Sequence, residues 1–251
     1  MARAREAMTQ ATAARDVEPK GTTARRVGLT AELVVDRAQE LTEQLGLDGW
    51  SLRRLAEELD VVPSVVYHYY PTKGDICDAI VERVSTLIEL PDPELGWKEW
   101  FMTMLLNARP VLLTYHGVAD RIMRGELTRG FTPMIDTAVA KLQEAGFADF
   151  APIAYAMISN SAVSAIAARN RRSAQQGERR HDLARMIDHM EPLARQSPGT
   201  RLMIEHLFGP LSSGDHEDRV SDEYFELLIA SLLDGVEHVV LPRAQAPGEV
   251  D

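Results

Sequence analysis

The chain is poor in the groups that covalent and redox chemistry require. Its 251 residues include one cysteine, Cys77, so an intramolecular disulfide is excluded and a reducing compartment is expected. No G-x-S-x-G, H-E-x-x-H, Cys-x-x-Cys or glycine-rich phosphate loop occurs, and an enzyme is therefore not expected. Metal ligands do not cluster either. His181 and His189 in HDLARMIDH lie eight residues apart, too far for the i, i+4 chelation of helical metal sites, so Asp182 and Asp188 beside them read as a solvated face. No cofactor and no metal are expected. No stretch approaches roughly 18 consecutive apolar residues, and no apolar segment follows the early arginines, so a soluble, cytoplasmic protein without membrane contact is expected.

What the chain does have is helical periodicity, with no strand-like alternation, which predicts an all-α fold. Local signals are densest over residues 46–80, GLDGWSLRRLAEELDVVPSVVYHYYPTKGDICDAI. Ser51 is a good N-cap, and Leu52, Leu55, Ala56 and Leu59 share one face of a short helix over Ser51–Leu59. Asp60 and Val61 form a turn. Pro63 then suits the first position of a second helix, where its missing N–H is no loss. Val61, Val66 and Tyr70 can face inward there, leaving Ser64, Val65, Tyr67, His68 and Tyr69 outside. Upstream, Leu33–Leu45 carries Val34, Ala38, Leu41 and Leu45 on one face and is ended by Gly46. Downstream, Thr72 and Asp75 have the spacing of a capping box for a helix over Lys73–Leu90, striped by Ile76, Ile80, Val84, Leu87 and Ile88. Two short helices about a tight turn, flanked in this way, predict a helix-turn-helix DNA reader. The small residues of its second helix would face base edges, and its tyrosine hydroxyls the phosphates.

From Leu29 to Ile80 the order WSLRRLAEEL, V-x-P-x-x-V-Y-H-Y-Y and P-T-K resembles the tetracycline-repressor (TetR) family of bacterial transcription regulators. The resemblance implies a homodimer of all-helical subunits, each with a small N-terminal reader and a larger C-terminal domain that binds a small-molecule effector and pairs with its twin. Carried over by motif, Ser51, Tyr67, Tyr69 and Lys73 fall at phosphate contacts of an operator duplex. Arg53, Pro63, Ser64, Val65 and His68 fall where groove contacts stand. Asp60 replaces the family's usual glycine in the turn, and aspartate tolerates the positive φ needed there. Val65 replaces a hydroxyl-bearing or small residue; its methyls can meet a thymine methyl but donate no hydrogen bond. Tyr69 stands where histidine is common.

The formal net charge of −11 looks wrong for a DNA binder. Met1–Gly28 holds six basic and three acidic residues, whereas Leu29–Leu90 holds five and twelve, so the reader itself is acidic. Arg53, Arg54 and Lys73 nevertheless lie near the proposed DNA face, where local field counts for more than the total. The arm, residues 1–28, reads either as a minor-groove contact or as a loose terminus.

The reader is expected to span 29–90, with Leu90-Pro91-Asp92-Pro93 marking the boundary, a helical effector and dimer domain spanning 94–242, and a flexible tail over 243–251. Helices are expected over Trp97–Asn107, Pro110–Tyr115, Phe131–Glu144, Phe150–Asn170, Glu178–Arg195, Arg201–Leu207 and Asp222–Leu241. An apolar or aromatic effector is expected, because Trp100, Met104, Met134 and Met157 supply adaptable apolar surface. Asn107 in MLLNA and Asn160 in MISNSAV are amides in apolar runs that need partners. With His116 they complete the candidate ligand contacts, the alternative for each being plain core. The Ala- and Ser-rich helix and the last helix suggest a four-helix dimer interface. A metal-responsive or partner-protein-responsive helical sensor is the alternative function.

Overall fold

In the computed structural model the described residues are 28–174, 179–212 and 217–245. The arm up to Val27, the side chains of His181 and Asp182, and the tail beyond Gln245 lie outside them. The described residues from Ala31 onward belong to one compact unit.

Four helices open the compact unit: α1 (Ala31–Leu45), α2 (Leu52–Glu58), α3 (Pro63–Tyr69) and α4 (Lys73–Thr86). The expected terminators act where the sequence placed them. Gly46 takes φ +76° after α1, Ser51 Oγ accepts the Arg54 N–H, and Thr72 and Asp75 close a reciprocal capping box. Two details of the stripes differ. Helix α1 turns Val35 and Thr42 inward beside Val34, Ala38 and Leu41, leaving Leu45 51% exposed. Its partners α2 and α4 flank the face centred on those residues, which rotates Leu45 away. Helix α4 ends at Thr86 rather than Leu90, so Leu87 is the exposed C-cap and Val81 takes a buried place.

Beyond the Pro91–Pro93 link come α5 (Trp97–Thr114), α6 (Val118–Met123), α7 (Thr132–Glu144), α8 (Ala151–Ala174) and α9 (Arg179–Ala194). Then follow α10 (Pro198–Met203), α11 (Gly209–Ser212), α12 (Glu217–Gly235) and α13 (Leu241–Gln245). No strand occurs among the described residues. Pro110 was expected to split α5, yet the helix runs through it. Leu106, whose carbonyl loses its partner, and Pro110 itself both lie on the exposed side, so water can take over the missing bond. The π-helical turns Ile204–Phe208 and Val236–Val240 also had no signature in the sequence.

Helix α8 is the central post, touching α5, α6, α7 and α12. By length and composition it could cross a bilayer, but its buried Ala151, Ala154, Ala162 and Ala167 let neighbouring helices close around it, as in a core helix. The aromatic core sits beside it, with Trp97 edge-on to Phe147 at 5.2 Å and Trp100 edge-on to Phe101 at 5.3 Å.

Candidate DNA-reading face and effector cavity

The turn between α2 and α3 depends on one residue. Asp60 has φ +53°, the left-handed conformation that lets Val61 N–H return to the Ala56 carbonyl at 3.0 Å. Helix α3 then begins at Pro63 and is fastened by Val66, which is fully buried. Pro63, Ser64, Tyr67 and His68 are exposed, while Val65 and Tyr69 are half-buried along with Val61 and Tyr70. The outward face is thus narrower than the sequence suggested, because a helix of two turns packed on one residue shades the positions flanking it.

Trp50 organises the rest of the face. It is 4% exposed, its indole N–H donates to Thr42 Oγ1 at 2.9 Å, and its carbonyl accepts from Lys73 Nζ at 2.6 Å. The Lys73 ammonium also lies 4.5 Å from the centroid of the Trp50 ring, a cation–π contact. Lys73 is therefore a strut between the start of α4 and the entry to α2. The spacing of Trp50 and Leu55 around the Ser51 cap is that of a hydrophobic staple, a further local signal in the sequence.

Arg53 and Arg54 are drawn to their own helix: Arg53 to Glu57 at 3.2 Å and Arg54 to Glu58 at 2.5 Å. The Arg53 side chain is 85% exposed, and such surface pairs contribute about 0–1 kcal/mol, so a phosphate can displace the carboxylate at little cost. Ser51 keeps its hydroxyl proton, because its oxygen acts as acceptor in the cap.

The reader is stitched to the helices behind it at several points. Leu47 N–H donates to the His116 carbonyl at 2.9 Å and Gln39 Nε2 to Tyr115 Oη at 3.0 Å. Gly130 N–H donates to Glu82 Oε2 at 2.8 Å. Gly130 has no room for a side chain, since an added Cβ would lie 1.9 Å from Ser85 Oγ. Arg121 on α6 pairs with Asp78 on α4. Burial, reinforced by the positive charge of Arg169, holds the His116 imidazole below its ordinary pKa, against a partial rise from the Leu113 backbone.

A cavity of about 480 Å³ opens between α5, α8, α11 and α12, with Arg109, Arg169, Ser221, Tyr224 and Phe225 in its wall. None of the seven candidate ligand residues lines it. Trp100 and Met104 are core, 0% and 2% exposed, and Met134 is half-buried on α7. Asn160 and Met157 are exposed on α8 rather than embedded. Asn107 gives its amide N–H to the Glu89 carbonyl at 3.0 Å and so pins the interdomain link, while His116 belongs to the seam just described. The buried amide of this region is Asn170, whose Nδ2 donates to the Leu112 carbonyl at 2.8 Å. The signal in the sequence lay in the arginines of NARPVLL and AARN, charges inside apolar helices. Among the described residues no group of histidine, cysteine or carboxylate side chains is arranged to hold a metal.

Comparison with known proteins bears on both regions. Residues 34–80 match the family described as bacterial regulatory proteins, tetR family. The chain is 29% identical over 220 residues to the class C tetracycline repressor of Escherichia coli, covering 85% of this chain and 93% of that protein. It is 36% identical over 87 residues to the transcriptional repressor DrrR1 of Streptomyces coeruleorubidus, covering 35% of this chain and 32% of that one. The solved structure of the TetR family protein ActR of Streptomyces coelicolor, in complex with (S)-DNPA, superposes with a TM-score of 0.60 at 25% identity, over 83% of this chain and 98% of that one.

Proposed function

Because the chain belongs to the TetR family of bacterial regulatory proteins, we propose that α3 reads an operator in the major groove and that a small-molecule effector bound among α5–α12 releases it. The protein is a DNA-binding transcriptional regulator of the repressor type, and the family consists of regulators rather than enzymes. One observation carries the residue-level reading: the face formed by Ser64, Tyr67 and His68 stands clear of the fold while a single residue, Val66, fastens α3 beneath it. Ser64 and Val65 then reach base edges. Ser51, Tyr67 and Tyr69 hold phosphates; Arg53, which the resemblance places among the groove contacts, we assign to the phosphates as well, because its guanidinium is exposed and held by the exposed Glu57, and Lys73 adds its charge while bracing Trp50.

In this reading 29–90 is the reader and 94–242 the effector and dimer domain, in a cytoplasmic protein. The exposed Ile153 and Met157 on α8 and Leu227 on α12, 55%, 41% and 61% exposed, form an apolar face for a second copy. The ligand complex of ActR supports a small-molecule effector. Helix α4 is the natural lever, because its first turn is tied to Trp50 and its later turns to Gly130 and Arg121. Selection of bound sequences from random DNA by the full chain tests the function: an inverted repeat is expected, and enrichment of no sequence would refute it.

A further inference from the structure

We propose that Asn160, on the exposed face of α8, meets its own counterpart in a second copy of the chain and sets the register in which the two copies pair. The inference rests on the homodimer reading and adds to it the residue that orders the interface. From Ala151 to Ala168 the chain holds no charged residue and no histidine. Along this stretch Ile153, Met157, Asn160 and Ser164 are exposed, at the i, i+4, i+7, i+11 spacing that gathers side chains on one face of a helix. The opposite face is buried through Ala154, Ile158, Ala162 and Ile166. Helix α12 continues the exposed face: it touches α8, Ser164 and Tyr224 border the same cavity, and Tyr224 and Leu227 are exposed.

Charge selects a second copy as the occupant. Each copy carries a formal net charge of −11, so two copies repel at long range and close most readily where neither presents charge. Residues 151–168 are such a place. A charged partner would gain nothing from them, whereas Ile153, Met157 and Leu227 offer the apolar contact that the core of a homodimer interface uses.

Symmetry then singles out one residue. When a two-fold axis crosses a helix, the residue at the centre of the paired segment faces itself, while contacts to either side are exchanged between the copies. The centre of 151–168 falls between Ser159 and Asn160. Ser159 spends its hydroxyl on its own helix, donating to the Tyr155 carbonyl at 2.7 Å, and Asn160 is the exposed one of the two. A carboxamide suits the axis because it both donates and accepts, so two of them can bond reciprocally. In a slid register each amide would lie against apolar side chains with its hydrogen bonds unmade, which is how a single buried asparagine sets register in coiled coils. The register matters for reading, because two copies of α3 must reach half-sites ~34–36 Å apart.

The test uses the full chain. Under mild oxidation Asn160→Cys should form a covalent dimer at least about ten-fold faster than Ile153→Cys, which is exposed on the same face but ~10 Å further along the helix. In sedimentation, Asn160→Asp and Asn160→Lys should each weaken the dimer by about ten-fold or more, since like charges would face each other. An equimolar mixture of the two variants should recover it, as only a position that meets itself can be rescued in this way. Cross-linking of Asn160→Cys no faster than that of Ile153→Cys would overturn the proposal. So would a native-like dimer for Asn160→Asp, or a mixture no tighter than either variant alone. If the charged variants do not fold, the cross-linking comparison decides. A native chain that sediments as a monomer at the concentrations that bind operator would refute the homodimer reading and the proposal with it, whereas a native dimer that fails these tests refutes the proposal alone.

Discussion

The reader and the helices behind it are held together by different means. Helices α2 and α3 are seven residues each, too short to persist alone. They stand because caps, a left-handed turn and a few buried side chains (Leu55, Ala56, Val66) place them on α1 and α4. From α5 onward the helices run to 18 and 24 residues, and they are ordered by an aromatic core and by ties between distant parts of the chain, such as Lys98 to Asp234 and Glu237. Local devices build a surface that meets a fixed ligand, the DNA groove. Distant ties build an interior that can be reshaped around a variable one.

Trp50→Ala should show the largest effect of those that separate the two regions. It removes a buried indole together with the Thr42 and Lys73 contacts, so about 3–5 kcal/mol should be lost from the reader. Operator binding should vanish while the dimer survives in sedimentation. Simultaneous loss of the dimer would show that the regions are not separately built.

Gly130→Ala attacks the seam instead. The added methyl meets Ser85 Oγ at 1.9 Å, and overpacking of this kind costs about 1–3 kcal/mol. Denaturation of Gly130→Ala with and without Ser85→Ala checks the cause, since removal of the hydroxyl should recover part of the loss. An undiminished melting temperature for Gly130→Ala would mean that α4 is not docked there.

The same contrast explains what the sequence made legible. Caps and turns act over four or five neighbouring residues, so Ser51, Asp60, Pro63 and the Thr72–Asp75 box could be placed in advance, and the structure has them so. Which face of a long helix is covered depends on partners far away in the chain. Asn160 lies in the apolar run MISNSAV yet is exposed, while Asn170 lies among arginines in AARNRR yet is buried, so the local sequence points the wrong way for both. For that reason the methionines and amides singled out in the sequence do not gather in one place: Trp100 and Met104 are core, while Met157 and Asn160 are exposed.

Arg53→Ala should leave stability within about 0.5 kcal/mol, because its pair with Glu57 is exposed. It should still lower operator affinity for all sequences alike and reduce the salt dependence by about one unit. An unchanged salt slope would remove Arg53 from the phosphate contacts.

The smallest effect concerns His116, which is held neutral in the folded chain by burial and by Arg169. The unfolded chain takes up the proton near pH ~6.5, so stability should fall as pH drops below that value, until the lowered folded pKa is passed. Unfolding of the native chain and of His116→Gln, compared from about pH 7.5 to 5, should therefore diverge on the acid side, with the native chain losing more. Parallel curves would refute the assignment.

The claim that α3 is the reading helix is tested most directly by repeating the selection from random DNA with Val65→Thr and Tyr67→Phe. Val65→Thr should change the preferred base at one position in each half-site by about 1–3 kcal/mol, and Tyr67→Phe should lower affinity while leaving the selected sequence as it was. A changed sequence with Tyr67→Phe and an unchanged one with Val65→Thr would contradict the docking of α3 in the groove.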